Sequence, residues 1–171
     1  MDKLSEASRA GVQIQLILRG ICCLRPGIAA RTENIHVTSI VGRYLEHGRI
    51  YCFGRGKSAQ MFIASADMMT RNLNRRVEIM CPVYDPEVRE QLLWILHTQL
   101  GDNVKASSLL PDGSYCRKVN TLAPCNSQEV FMEKTIHKPY AKEPERPKRG
   151  LHRLFGGLQK KKRPDQQKGN A

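Results

Sequence analysis

Apolar and polar positions alternate in several short runs along the chain, and those runs predict most of its elements. In KLSEASRA (3–10), Leu4, Ala7 and Ala10 fall on one face, and Gly11 stands at the stop position, which predicts a short helix. VQIQLIL (12–18) alternates and then turns apolar, as a strand entering a core does. A long connection follows over 19–34, with Pro26 and Gly27 marking a turn. IHVTSIV (35–41) is β-branched and reads as extended, with a helical start before Glu46 as an alternative.

GRIYCF (48–53) and AQMFIAS (59–65) flank GRGKS, which predicts a hairpin. Pairing Phe53 with Ala59 sets Arg49 opposite Ile63 and His47 opposite Ser65; a bulge shifts that register by one. Period two then places His47 and Arg49 on one strand face, matched by Ser65 and Asp67 on the other strand. RRVEIMCPV (75–83) reads as a third strand. Asp85 and Pro86 open a helix with the apolar stripe Val88, Leu92, Ile95, Leu96 and Leu100, ended by Gly101. Residues 102–126 are mixed and turn-rich. NSQEVFMEKTI (126–136) predicts a last helix, with Asn126 as cap and Glu129 three residues on.

After His137 the pattern dissolves into prolines and charges, and little order is expected. The division is therefore a domain over 1–136 and a basic tail over 137–171. The tail carries 11 Lys and Arg against 3 Asp and Glu, so it holds two thirds of the formal charge of +12. Leu151, Leu154, Phe155 and Leu158 beside the KKKR run (160–163) could lie on an anionic membrane, although Gly156 and Gly157 weaken such a helix. No apolar run approaches the length of a membrane span, and the N-terminus lacks the apolar stretch of a signal peptide, so a cytoplasmic chain is expected, peripheral at the membrane's inner face if the tail binds there. The six cysteines show neither CxxC nor Cys/His zinc spacing and read as reduced thiols, mostly buried.

Two motifs bear on chemistry. GRGKS ends like a phosphate-binding P-loop, but Tyr51 stands where that motif needs glycine, and the loop joins two strands. His47-x-Arg49 presents an imidazole and a fixed cation to one space, a pairing suited to phosphoryl transfer. Ser65 and Asp67 could orient the ring. The plainer alternative is a strand-edge histidine bonded to a neighbour. Arg19, at the end of the first strand, lies where α/β sheets place ligand groups. The plainer alternative for Arg19, and for Arg25, Arg43, Arg71, Arg75 and Arg76 in the same region, is solvation or pairing with Glu33, Glu46 or Glu78, and composition alone leaves both readings open.

ILRGICCLRPG (17–27), SIVGRYLEHGRIYCF (39–53) and IASADMMTRNLNRRVEI (63–79) resemble, in order and spacing, the C-terminal domain of bacterial polyphosphate kinase. The resemblance covers roughly residues 3–136. It implies an α/β fold of the phospholipase D-like kind, a mixed sheet flanked by helices. It implies reversible transfer of the terminal phosphate of ATP to polyphosphate through a phosphohistidine. His47 corresponds to the family's second catalytic histidine, which also contacts the nucleotide. Arg19 corresponds to a nucleotide phosphate-binding arginine and Arg76 to a further active-site arginine, with Arg49 in the phosphate cradle and Ser65 and Asp67 in support.

The phosphorylated histidine of the family lies in a preceding domain, so the resemblance implies a C-terminal part, inactive alone. Its implied partners are ATP or ADP, polyphosphate, the missing N-terminal domains or a complementary chain, and further copies in a homo-oligomer. Magnesium is a family requirement, with no ligand placed in this chain. Met68 stands where the family has tryptophan, Asn74 where it has aspartate, and Gly48 where serine is frequent; the loss of an aromatic at 68 is expected to loosen packing behind Ser65 and Asp67. A different class of function, a stand-alone polyanion-binding module, follows from the basic tail.

Overall fold

The computed structural model describes residues 1–137. The expectations for the tail lie outside the described residues. The α/β class is as the pattern indicated, but the strands form two sheets. The first has the order β1-β2-β6-β7 and the second β3-β4-β5. Helix α1 (Asp2–Arg9) ends at Gly11, whose φ of 85° supplies the left-handed turn, and leads into β1 (Ile14–Leu18). Strand β1 pairs in parallel with β2 (Ile35–Ile40), Ile14 facing Ile35 and Leu18 facing Ser39.

A parallel pair needs a crossover, and here residues 19–34 supply it without a helix. The Thr32 hydroxyl holds the crossover, donating to Arg25 O at 2.6 Å and accepting from Ile28 N–H at 3.1 Å. Leu24 turns inward from it to join Ile35, Val37 and Leu109, with Leu4, Ile14, Leu16 and Leu18 packed around them. That cluster is the core of the first sheet, and β2 is its central, most buried strand.

Strands β6 (Ala106–Leu109) and β7 (Tyr115–Arg117) extend the first sheet as an antiparallel hairpin. Asp112 and Gly113 make its turn: Gly113 has φ of 93°, and Asp112 Oδ1 accepts from both the amide and the hydroxyl of Ser114.

In the second sheet, β3 (Ile50–Phe53) and β4 (Gln60–Ala64) form the predicted hairpin, one residue out of the predicted register. Ile50, not Arg49, faces Ile63. Residues 56–58 form a 3-10 turn that draws Ala59 into the loop, where its carbonyl accepts from Arg89 Nη2 at 2.5 Å. Strand β5 is only Met80–Pro82. The predicted start at 75 is taken by α2 (Thr70–Arg75). Beyond it Ser65 N–H donates to Ile79 O at 3.0 Å, but Ile79 N–H turns to the Ser65 hydroxyl instead of its carbonyl, and the strand stops at Met80.

Helix α3 (Pro86–Gly101) is capped as its sequence indicated, Asp85 accepting from the amides of Glu87 and Val88 at 2.9 and 3.0 Å. Its stripe is only half-buried, and the side chain it buries is Gln99. It meets α4 (Ser127–His137) through Trp94 and Phe131, ring centroids 5.3 Å apart. The α4 cap differs from expectation. Asn126 Oδ1 has no partner among the described residues, and Asp102 Oδ2 takes both the amide and the hydroxyl of Ser127 at 2.8 Å.

The six cysteines are free thiols, but none is buried and three are exposed, because the strands and loops that carry them are only thinly covered. Among the described residues no helix is long and apolar enough to cross a membrane.

Candidate functional site

Three segments distant in sequence meet beside the second sheet. Arg19 leaves the end of β1, residues 43–49 lead into β3, and Asp67 follows β4. Neither His47 nor Arg49 lies in the strand itself, since β3 begins at Ile50. Arg49 O still accepts from Ala64 N–H at 2.9 Å, so backbone pairing anchors residue 49, while His47 lies beyond that pairing.

Asp67 is the hub. Its Oδ2 accepts from Arg19 Nη2 at 2.7 Å and from Arg49 Nη2 at 3.1 Å, and its Oδ1 accepts from Arg49 Nε at 3.1 Å. The Arg49 side chain is 16% exposed and that of Asp67 22%, so the pair is only partly reached by water. The hydrogen bonds from Arg49, and after them those from Arg19, hold the Asp67 carboxyl below the usual carboxylate range against the opposing effect of burial. Arg19 also donates from Nη1 to Glu46 O at 3.1 Å, tying β1 to the loop that carries His47.

His47 is exposed and rests against Arg49. Arg49 Nη1 is 3.2 Å from His47 Nδ1, and Nη2 is 3.4 Å from Nε2. The two nitrogens of each group are about equally far apart, so both approaches at once lay the guanidinium alongside the ring. Arg49 Nη1 also donates to His47 O at 3.1 Å. One arginine thus fixes the histidine through its ring and its carbonyl while grasping Asp67 with its other edge. Tyr51 lies close by, its hydroxyl donating to Ala66 O at 3.4 Å; burial first, and then the charge of Asp67, push that hydroxyl's pKa up.

The other predicted residues sit differently. Ser65 does not reach the ring: its hydroxyl donates to Glu78 and accepts from Ile79 N–H at 3.0 Å. Arg76 is exposed just beyond α2 and makes no hydrogen bond or ion pair with another described residue. For Arg19 the acidic partner is none of Glu33, Glu46 and Glu78. Among the described residues, Arg19 and Arg49 pair with Asp67, whereas Glu46 is held by the amides of Gln99 and Gln128 at 3.0 and 2.7 Å. Met68 is 65% exposed, so it packs behind neither Ser65 nor Asp67. At Gly48 an added Cβ meets nothing nearer than the tip of Ile50 at 4.0 Å, so the position has room for serine.

Among the described residues there is no group of three or more His, Cys, Asp or Glu side chains able to hold a metal ion. Asp67, the carboxylate at the site, already spends both oxygens on guanidinium groups. Its surroundings do not fit a magnesium ligand.

The family described as "Polyphosphate kinase C-terminal domain 2" matches residues 1–128. "Polyphosphate kinase 1" of Chlorobaculum tepidum is 51% identical over 138 residues, covering 81% of this chain and 20% of that protein. The polyphosphate kinase of Lactiplantibacillus plantarum is 54% identical over 117 residues, covering 68% of this chain and 16% of that protein. The crystal structure of polyphosphate kinase from Porphyromonas gingivalis superposes with a TM-score of 0.73 at 44% identity, over 78% of this chain and 21% of that one. The chain spans about a fifth of the length of these relatives. It belongs to the polyphosphate kinase family, as its C-terminal, phospholipase D-like domain.

Proposed function

We propose that this chain supplies one wall of a phosphoryl-transfer site acting between ATP and polyphosphate. The observation that carries the reading is the convergence of Arg19 and Arg49 on Asp67 with His47 laid against Arg49. Phosphoryl transfer needs little covalent help from the protein; it needs positioned cations where charge spreads over phosphate oxygens. Arg19 and Arg49 gather their guanidinium groups at Asp67, where a phosphate oxygen could share their donors, and exposed His47 can bind or protonate an oxygen of the phosphate in transit. Arg76, unpaired with any described residue, is free to swing toward a polyanion. The nucleophilic histidine, magnesium and the remaining nucleotide contacts belong to the part of the relatives that this chain does not span. An assembly of several copies, or with a complementary chain, belongs to the same proposal.

The test is a chimera in which this chain replaces the matching fifth of the Chlorobaculum tepidum enzyme. It should form polyphosphate from ATP. His47→Ala in that chimera should lower synthesis by about 10²-fold or more, without unfolding a protein whose residue 47 is exposed. Undiminished synthesis would overturn the assignment of His47.

The charge favours a second reading, a polyanion-binding module that acts without chemistry, because residues 137–171 hold a net +8. On that reading, deleting 137–171 sharply weakens polyphosphate binding and flattens its salt dependence. Unchanged affinity and salt slope would remove it. The same deletion assayed on anionic vesicles tests membrane contact through the tail.

A further inference from the structure

We infer that Gln128, on the first turn of α4, is a positioning residue for His47, acting through Glu46 and the backbone of residues 42–46. This rests on the reading of His47 as a group that meets phosphate. Residues 42–49 belong to no helix or strand, so their path needs an outside partner. Gln128 provides it. Its Nε2 donates to Tyr44 O at 2.8 Å and to Glu46 Oε1 at 2.7 Å, and its Oε1 accepts from Tyr44 N–H at 3.0 Å. The amide therefore grips one residue at both backbone groups, as a neighbouring strand would, and reaches the side chain of the residue before His47. Both of its donors are used, and the side chain is buried, 6% exposed.

Two further observations indicate that the grip is specific. The second oxygen of Glu46 accepts from Gln99 Nε2 at 3.0 Å, and Gln99 is itself buried on α3. Two helices thus clamp one carboxylate through neutral amides. On the other side, a Cβ placed on Gly42 would collide with Gln128 Oε1, so the close approach needs glycine at 42. From Glu46 the connection continues through its carbonyl to Arg19, then to Asp67, Arg49 and the His47 ring. Shifting the loop at Tyr44–Glu46 moves the ring relative to the arginines.

The donor–acceptor pair can be inverted. Gln128→Glu places a carboxylate against Glu46 and against Tyr44 O, and Glu46→Gln in that background restores a donor facing an acceptor between residues 46 and 128 but not at Tyr44 O. The readout is the imidazole C2–H resonance of His47 in the 171-residue chain at fixed pH, assigned with His47→Gln. The expected result is a displaced His47 resonance in Gln128→Glu and its partial return in the double variant, with the His36 resonance and the far-ultraviolet circular dichroism unmoved. An unshifted His47 resonance in Gln128→Glu, or a shift that the double variant leaves undiminished, overturns the proposal. Should Gln128→Glu not fold, Gly42→Ala pushes on the same amide from the opposite side and must displace the same resonance; no displacement there overturns the proposal equally. The resonance is independent of activity, so it separates this inference from the chimera assay, which bears on the role of His47 alone.

Discussion

Arg49 holds Asp67 with two nitrogens, Nε to Oδ1 and Nη2 to Oδ2, both at 3.1 Å, and uses its remaining nitrogen edge for His47. Because the carboxylate also takes Arg19, its removal leaves two partly buried cations without their partner. Asp67→Asn should therefore destabilise the folded chain by about 2 kcal/mol, read from urea unfolding at neutral pH. The sign of the pH dependence follows from the depressed folded pKa. The stabilisation is complete above the unfolded carboxylate value of about 3.9, and it is lost as pH falls through the lower folded value. The stability difference between the parent chain and the Asp67→Asn variant should be flat from about pH 7 to about pH 5 and shrink below about pH 4. A difference that grew with acid would contradict the ion-pair assignment.

Lysine at position 49 keeps the charge but loses the fork. A single ammonium cannot span both oxygens of Asp67 and also lie along the imidazole. Arg49→Lys should thus lower synthesis in the chimera by roughly the cost of a lost charge-assisted hydrogen bond, about 10-fold or more, with circular dichroism unchanged. Full activity in Arg49→Lys would show that charge alone suffices there.

Asp102 bears on stability outside the Arg19–Asp67–Arg49 cluster. It is fully buried, and its carboxylate accepts from the amides of Val104, Lys105, Ala106 and Ser127 and from the Ser127 hydroxyl. Burial acts to raise its pKa, yet these bonds hold it below the usual range. Asp102→Ala strands several donors at the start of β6 and the start of α4, and should cost at least about 3 kcal/mol in denaturant unfolding. A loss under about 1 kcal/mol would mean that water replaces the carboxylate without difficulty.

Met68→Trp restores the aromatic residue of the family at a position that is exposed here. It should change stability by no more than about 0.5 kcal/mol, seen as an unmoved unfolding midpoint. A large stabilisation would show that residue 68 packs in this chain after all.

Elements with a strong local signal were legible: α3 from the Asp85-Pro86 start, the β3–β4 hairpin from its glycines, and α1 from its stop at Gly11. The β6–β7 hairpin went unread although the Asp112-Gly113 pair announces it, because its strands are short and mostly polar. Helix α2 gave little warning, having six residues, no capping side chain and little apolar periodicity. The hairpin register slipped by one because loop length depends on a 3-10 turn that periodicity does not encode. At the site, Arg19, His47, Arg49 and Asp67 could be named from the resemblance and from spacing. Ser65 was misplaced, since a partner for its hydroxyl, Glu78, lay 13 residues away. The Glu46–Gln128 contact spans 82 residues, and a glutamine on an amphipathic helix carries no signal of a remote partner.

On the proposed function, the carboxylate of Asp67 is a resident stand-in for phosphate. It draws guanidinium groups from both sheets into a fixed fan before any substrate arrives. An incoming phosphate oxygen therefore meets side chains whose rotamer freedom has already been surrendered during folding, and its binding need not supply that entropy. The same carboxylate limits how tightly the cations can hold a polyanion, because each donor turned toward phosphate is one shared with Asp67. If the proposed function holds, such partial neutralisation favours release of a long phosphate polymer as much as its capture.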